Sequence, residues 1–130
     1  MPPSHCRRSI PAAALLSATL LAGCDIGERR LPHDAASSQR MARGQALLAQ
    51  YQCGSCHAIP GVDAARGAGG PPLAAFGRRS YIAGHLPNRP DTLARWIESP
   101  ATLVPGTTMP SMGVSPDDAR AMAGYLLSLE

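Results

Sequence analysis

The chain has 130 residues, 45% hydrophobic but only 4% aromatic, with 13 Gly and 13 Pro. That is enough for one small, loop-rich domain whose own core is thin. The formal net charge of +3 overstates its basicity: residues 24–130 carry ten Arg against nine acidic residues, no lysine occurs anywhere, and a nucleic-acid-binding face is excluded.

Residues 1–23 read as an export signal. Arg7-Arg8 form a positive n-region, and Ala12 to Ala22 is an apolar run too short for a comfortable membrane span. It ends Leu21-Ala22-Gly23-Cys24, which resembles the bacterial lipobox, whose Cys receives a diacylglyceryl thioether and becomes the first mature residue. The alternative is an ordinary signal peptide cut near Ala22 or Gly23, with Cys24 free. Two or three acyl chains anchor stably where one does not. Asp25 after that Cys resembles the signal that retains some lipoproteins in the inner membrane. The expected location is the bacterial periplasm, lipid-anchored at the outer face of the inner membrane. Residues 24–37 then comprise the lipid-bearing Cys and a flexible polar tether, able to reach about 45 Å at full stretch.

The folded domain is expected over residues 38–130. Ser37-Ser38 offers a helix N-cap, and Gln39 to Gln52 is rich in helix formers. Met41, Leu48 and Tyr51 fall near one face, with Gly44 between them. A Gly in mid-helix costs stability, so close packing against another helix is its motive.

That helix runs into Cys53-Gly54-Ser55-Cys56-His57, a Cys-x-x-Cys-His pattern that attaches c-type haem. Two thiols at this spacing reach the two vinyl groups of one porphyrin. The following His supplies an axial nitrogen to the iron. A thioredoxin-like pair would need a strand–helix–strand setting, and a zinc site a second ligand pair; neither pattern is visible. With Cys6 and Cys24 in or beside the leader, no pair remains for a structural disulfide.

Residues 58–75 are rich in Gly, Ala and Pro and read as a loop around the haem edge. A second helix is signalled by Asn88-Arg89-Pro90-Asp91, carries Leu93, Trp96 and Ile97, and stops at Pro100. Residues 101–114 read as irregular. Ser115-Pro116-Asp117-Asp118 is a strong helix start, and Met122, Tyr125, Leu126 and Leu129 follow at core spacing. No stretch alternates as a strand.

The iron's other axial position has four candidates: Met109, Met112, His85 and His33. Met109 and Met112 share a loop fixed by Gly and Pro. Met41 and Met122 sit at helix core positions, where plain packing explains them. His33 falls in the tether and His85 in a surface loop.

The chain from about residue 41 to 130 resembles the class I cytochrome c family. The matching points are Gly44, Cys53-x-x-Cys56-His57, Gly70-Pro71-Pro72-Leu73, Gly77-Arg78, Trp96 before Pro100, Pro105-Gly106-Thr107-x-Met109 and Tyr125. The resemblance implies an all-α fold: three to five short helices and long loops around one covalent haem. The first and last helices would cross near Gly44 and Tyr125. It implies that the Pro71 carbonyl accepts the His57 ring proton and that Met109 is the sixth ligand. Trp96 would lie near the Met side of the haem and Arg78 near a propionate. Trp96 stands where mitochondrial relatives usually have Tyr, and an indole N–H donates but does not accept.

The function implied is single-electron transfer, not enzymology. A quinol-oxidising complex or dehydrogenase would be the donor and a haem–copper oxidase the acceptor. The alternatives are a haem enzyme or gas sensor with an open sixth site, and a cytochrome subunit fixed within an oxidase complex. In many class I cytochromes a Lys displaces the Met at alkaline pH; this chain has none to offer.

Overall fold

The computed structural model describes residues 32–130. The expected leader, Cys24 and the chain up to residue 31 lie outside the described residues, as does the side chain of His33. Four helices carry the architecture: α1 (Pro32–Gln50), α2 (Pro90–Glu98), α3 (Pro100–Leu103) and α4 (Pro116–Leu127). Single 3-10 turns at Cys53–Ser55 and Phe76–Arg78 punctuate the loops. No helix among the described residues is long and apolar enough to cross a membrane.

The first helix starts earlier than the Ser37-Ser38 cap suggests. It begins at Pro32 and takes in residues expected to be tether. The physical reason is local: Pro32 is pre-organised for the first helical position. The C-terminal helix starts as its sequence dictates. Ser115 accepts from the Asp118 amide at 3.2 Å, Pro116 follows it, and Asp117 and Asp118 occupy the first turn.

Helix α1 lies across α4, and α2 packs on α4 as well. The α1–α4 crossing depends on Gly44, where a Cβ would run into the Ala121 carbonyl and come within 3.0 Å of Tyr125 Cβ. Backbones approach this closely only without a side chain. Three further contacts tie the crossing. Tyr125 Oη donates to the Pro60 carbonyl at 2.8 Å, Tyr51 Oη donates to Asp118 at 3.0 Å, and Arg43 pairs with Asp118 at 2.6 Å. The Arg43 guanidinium, with Tyr51, holds the Asp118 carboxyl below the usual carboxylate range, and that carboxylate in turn raises the Tyr51 phenol.

Leu47 and Leu48 of α1, Leu93, Trp96 and Ile97 of α2, and Ala119, Met122, Ala123 and Leu126 of α4 form the centre of the core. Ile59, Val62, Leu73, Phe76 and Ile82 extend it from the loops. Two local elements depart from the sequence expectation. Pro100 does end α2, but a new helical turn, α3, starts on it. A two-residue hairpin pairs β1 (Tyr81–Ile82) with β2 (Leu86–Pro87), antiparallel, Ile82 opposite Leu86. Its turn places both Ala83 (φ 48°) and Gly84 (φ 83°) in the left-handed region, the geometry of a tight hairpin. Strands of two residues are too short to show alternation, and Ala at positive φ is not a turn signal.

Candidate functional site

The described domain holds a cleft of about 370 Å³, within the size range of cofactor pockets. Its floor is Leu48, Leu93, Met122 and Leu126; its walls come from the Cys-His segment and from the loop that follows α3. The cleft brings together Cys53, Cys56, His57, Pro71, Trp96 and Met109 from four separate stretches of chain.

The Cys-His wall is built by backbone bonds. The 53–55 turn is entered through Gln52 at φ 55°, which reverses the chain directly after α1. The His57 amide donates to the Cys53 carbonyl at 3.0 Å, closing the motif on itself. The Gly67 amide bonds the Gly54 carbonyl at 3.0 Å, and the Gly70 amide bonds the Cys56 carbonyl at 2.7 Å. The glycine-rich loop is therefore folded onto the motif rather than loose. Cys53 is half-buried and Cys56 exposed.

His57 is oriented from behind. Its Nδ1 lies 2.7 Å from the Pro71 carbonyl, which can only accept, so Nδ1 carries the proton and Nε2 keeps its lone pair for a metal. Gly70 seats the ring: a Cβ there would stand 2.7 Å from Nδ1 and nearer still to Cε1. Second-sphere bonding of this kind fixes the ring and makes the imidazole a better donor.

The opposite wall is the loop that follows α3. Met109 is half-buried and packs against the core, and its amide donates to Thr107 Oγ1 at 3.3 Å. Met112 also lines the cleft but is 46% exposed. Trp96, 8% exposed, lines the same cleft as Met109. Met122 is fully buried in the floor, and the half-buried Met41 lies 3.7 Å from the Cβ position of Gly124 on α4. His85 sits exposed in the hairpin loop and outside the lining, its Nδ1 3.1 Å from the Ala83 carbonyl.

Of two adjacent arginines, one borders the cleft. Arg78 is exposed and outside the lining, whereas Arg79 lines the cleft. Arg79 stacks 5.1 Å over the Phe76 ring and donates to the Pro72 and Ala74 carbonyls. Ala75 takes φ 50° just before the Phe76–Arg78 turn, which leaves Arg79 extended and turned to the cleft. No signal in the paired arginines distinguishes them. Tyr51 and Tyr81, which also line the cleft, were not marked as site residues by the sequence.

The donor set fits a haem. Two thiols, a proton-oriented imidazole and a thioether converge on one apolar cleft. Among the described residues no three His, Cys, Asp or Glu gather to hold a bare metal ion.

Comparison with known proteins agrees. The family model for cytochrome c matches residues 41–130. The chain is 36% identical over 89 residues to the cytochrome c oxidase subunit 2 of Alkalihalophilus pseudofirmus, covering 68% of this chain and 25% of that protein. It is 32% identical over 101 residues to the subunit 2 of Bacillus subtilis, covering 73% of this chain and 28% of that one. The subunit 2 of Bacillus sp. strain PS3 is likewise 32% identical over 91 residues, 67% of this chain and 25% of its own length. The chain thus spans about a quarter of the length of these curated relatives. No solved structure matches it. The chain belongs to the cytochrome c family, whose members carry covalently bound haem c, and its mostly helical architecture is the class I cytochrome c fold.

Proposed function

We propose that this domain carries single electrons on one haem held by Cys53, Cys56, His57 and Met109, and delivers them to a haem–copper oxidase. The observation that carries the reading is the shared cleft: a His with its Nδ1 on the Pro71 carbonyl and a half-buried Met line the same apolar space.

Cys53 and Cys56 would hold the porphyrin through thioether bonds to its vinyl groups. Bound there, the haem supplies a one-electron ferric/ferrous couple. His57 would bind iron through Nε2, with Pro71 and Gly70 holding the ring in place. Met109 would supply the second axial donor, and Trp96 and Leu93 exclude water beside it. With His57 and Met109 both holding the group, no position on it would be left open to a substrate. Met/His donation raises the potential relative to His alone. Arg79 would place a positive charge in the cleft wall, available to the haem's anionic edge.

The oxidase link rests on the relatives, which are named as oxidase subunits. This chain would act either as a tethered shuttle or as a detached counterpart of such a domain within a complex. The Cys24 lipid, if attached, would keep the domain at the outer face of the inner membrane and raise its concentration near membrane partners. The upstream donor would be a quinol-oxidising complex or a dehydrogenase.

The test is a redox titration of the matured protein, followed by mixing the ferrous form with carbon monoxide and, separately, with oxidase-containing membranes. A single one-electron wave, slow carbon monoxide binding and rapid oxidation by the membranes are expected. Fast carbon monoxide binding would mean an open iron, and the sensor or enzyme reading would replace this one.

A further inference from the structure

Two methionines three residues apart line one cleft, and a device is needed to choose between them. Met109 is half-buried and packed on the core; Met112 stands at the mouth, 46% exposed. The segment from 108 to 114 takes part in no backbone–backbone hydrogen bond among those of the described residues. Two hydroxyls hold it instead. Thr107 Oγ1 accepts from the Met109 amide at 3.3 Å, and Ser111 Oγ donates to the Glu98 carbonyl at 3.0 Å. Glu98 is the last residue of α2, so its carbonyl has no intrahelical partner and needs an outside donor.

We propose that Ser111 is a positioning residue that keeps Met109, rather than Met112, as the thioether donor by clamping the loop to the end of α2. The inference rests on the His57/Met109 reading above. Ser111 lies between the two sulfurs in sequence. Exchanging them means advancing the loop by three residues, about 10 Å of extended chain. That slide carries Ser111 away from Glu98 and breaks the clamp. Pro110 has no N–H and a fixed φ, so the loop cannot replace the lost bond with a backbone one there. A hydrogen bond with a net worth of about 1 kcal/mol corresponds to roughly a fivefold change in an equilibrium.

The test uses the full chain matured with haem. Imidazole is titrated against ferric wild type, Ser111→Ala and Ser111→Thr, following the red-end sulfur-to-iron band. Ser111→Ala should take up imidazole about fivefold more tightly, and Ser111→Thr should return to wild type. The same band is then recorded in Met109→Ala and in Met109→Ala/Ser111→Ala. It should be absent from the first and regained in the second, as the released loop brings Met112 inward. Unchanged imidazole affinity in Ser111→Ala, or no regained band in the double variant, overturns the proposal. A wild-type protein without the band would instead overturn the His57/Met109 reading on which it rests.

Discussion

The two walls of the cleft are built by different means. The Cys-His wall is bolted by backbone: the motif closes on Cys53, and the glycine loop returns to Gly54, Cys56 and Ala58 through amide–carbonyl bonds of 2.7–3.0 Å. Beyond Val104 and Thr107, the Met wall hangs on the Thr107 and Ser111 hydroxyls. Removing one hydrogen-bonding side chain leaves the bonds of the first wall in place, but it can release the second. Under the proposed ligation, the His57 side would be a fixed foundation for the iron and the Met109 side an adjustable one.

The largest effect should come from a change that forces the fixed wall. Gly70→Ala drives a methyl into the His57 ring. Overpacking of this kind costs about 1–3 kcal/mol, and here it also turns the imidazole off the Pro71 carbonyl. The yield of covalent haem and the melting temperature should both fall. A normal yield with an unchanged ferric spectrum would show that the wall yields after all.

Next is the frame on which both walls stand. Gly44→Ala pushes α1 off α4 at Ala121 and should cost about 1–3 kcal/mol, some 4–8 °C of melting temperature per kcal/mol in a domain this size. The ferric spectrum should stay that of wild type, because neither wall is touched. A lost red-end band would mean that the crossing itself positions Met109.

The smallest effect is electrostatic. Asp118 is held below the usual carboxylate range by Arg43 and Tyr51. A depressed folded-state pKa contributes stability that is fully present above the unfolded value, about 3.9, and is lost as pH falls through the folded one. Asp118→Asn should therefore melt lower than wild type at neutral pH, with the gap closing below about pH 4. A gap independent of pH would remove the charge from the explanation and leave only the hydrogen bonds.

Much of this was legible in the sequence, for reasons that differ by element. Cys53-x-x-Cys56-His57 is readable because covalent chemistry tolerates little change in spacing. The α4 start is readable because Ser115, Pro116 and two acids each meet a local need of a helix N-terminus. Gly44 is readable as a close approach because mid-helix Gly has few other motives. The start of α1 differs from the Ser37-Ser38 signal because two signals compete, and Pro32 at the first helical position prevails. That Arg79 rather than Arg78 borders the cleft goes with a backbone path through Ala75 at φ 50°, which an alanine does not announce. The Ser111 clamp is a tertiary bond to a carbonyl thirteen residues away, and no local pattern encodes it.

In the proposed holoprotein, His57 and Met109 would close the iron from its two sides. The most direct measurement is the ferric absorption spectrum of the matured protein beside Met109→Ala and Met112→Ala. A weak sulfur-to-iron charge-transfer band is expected at the red end, present in wild type and Met112→Ala and lost in Met109→Ala. A high-spin wild-type spectrum without the band, or a band that survives Met109→Ala, would contradict that ligation.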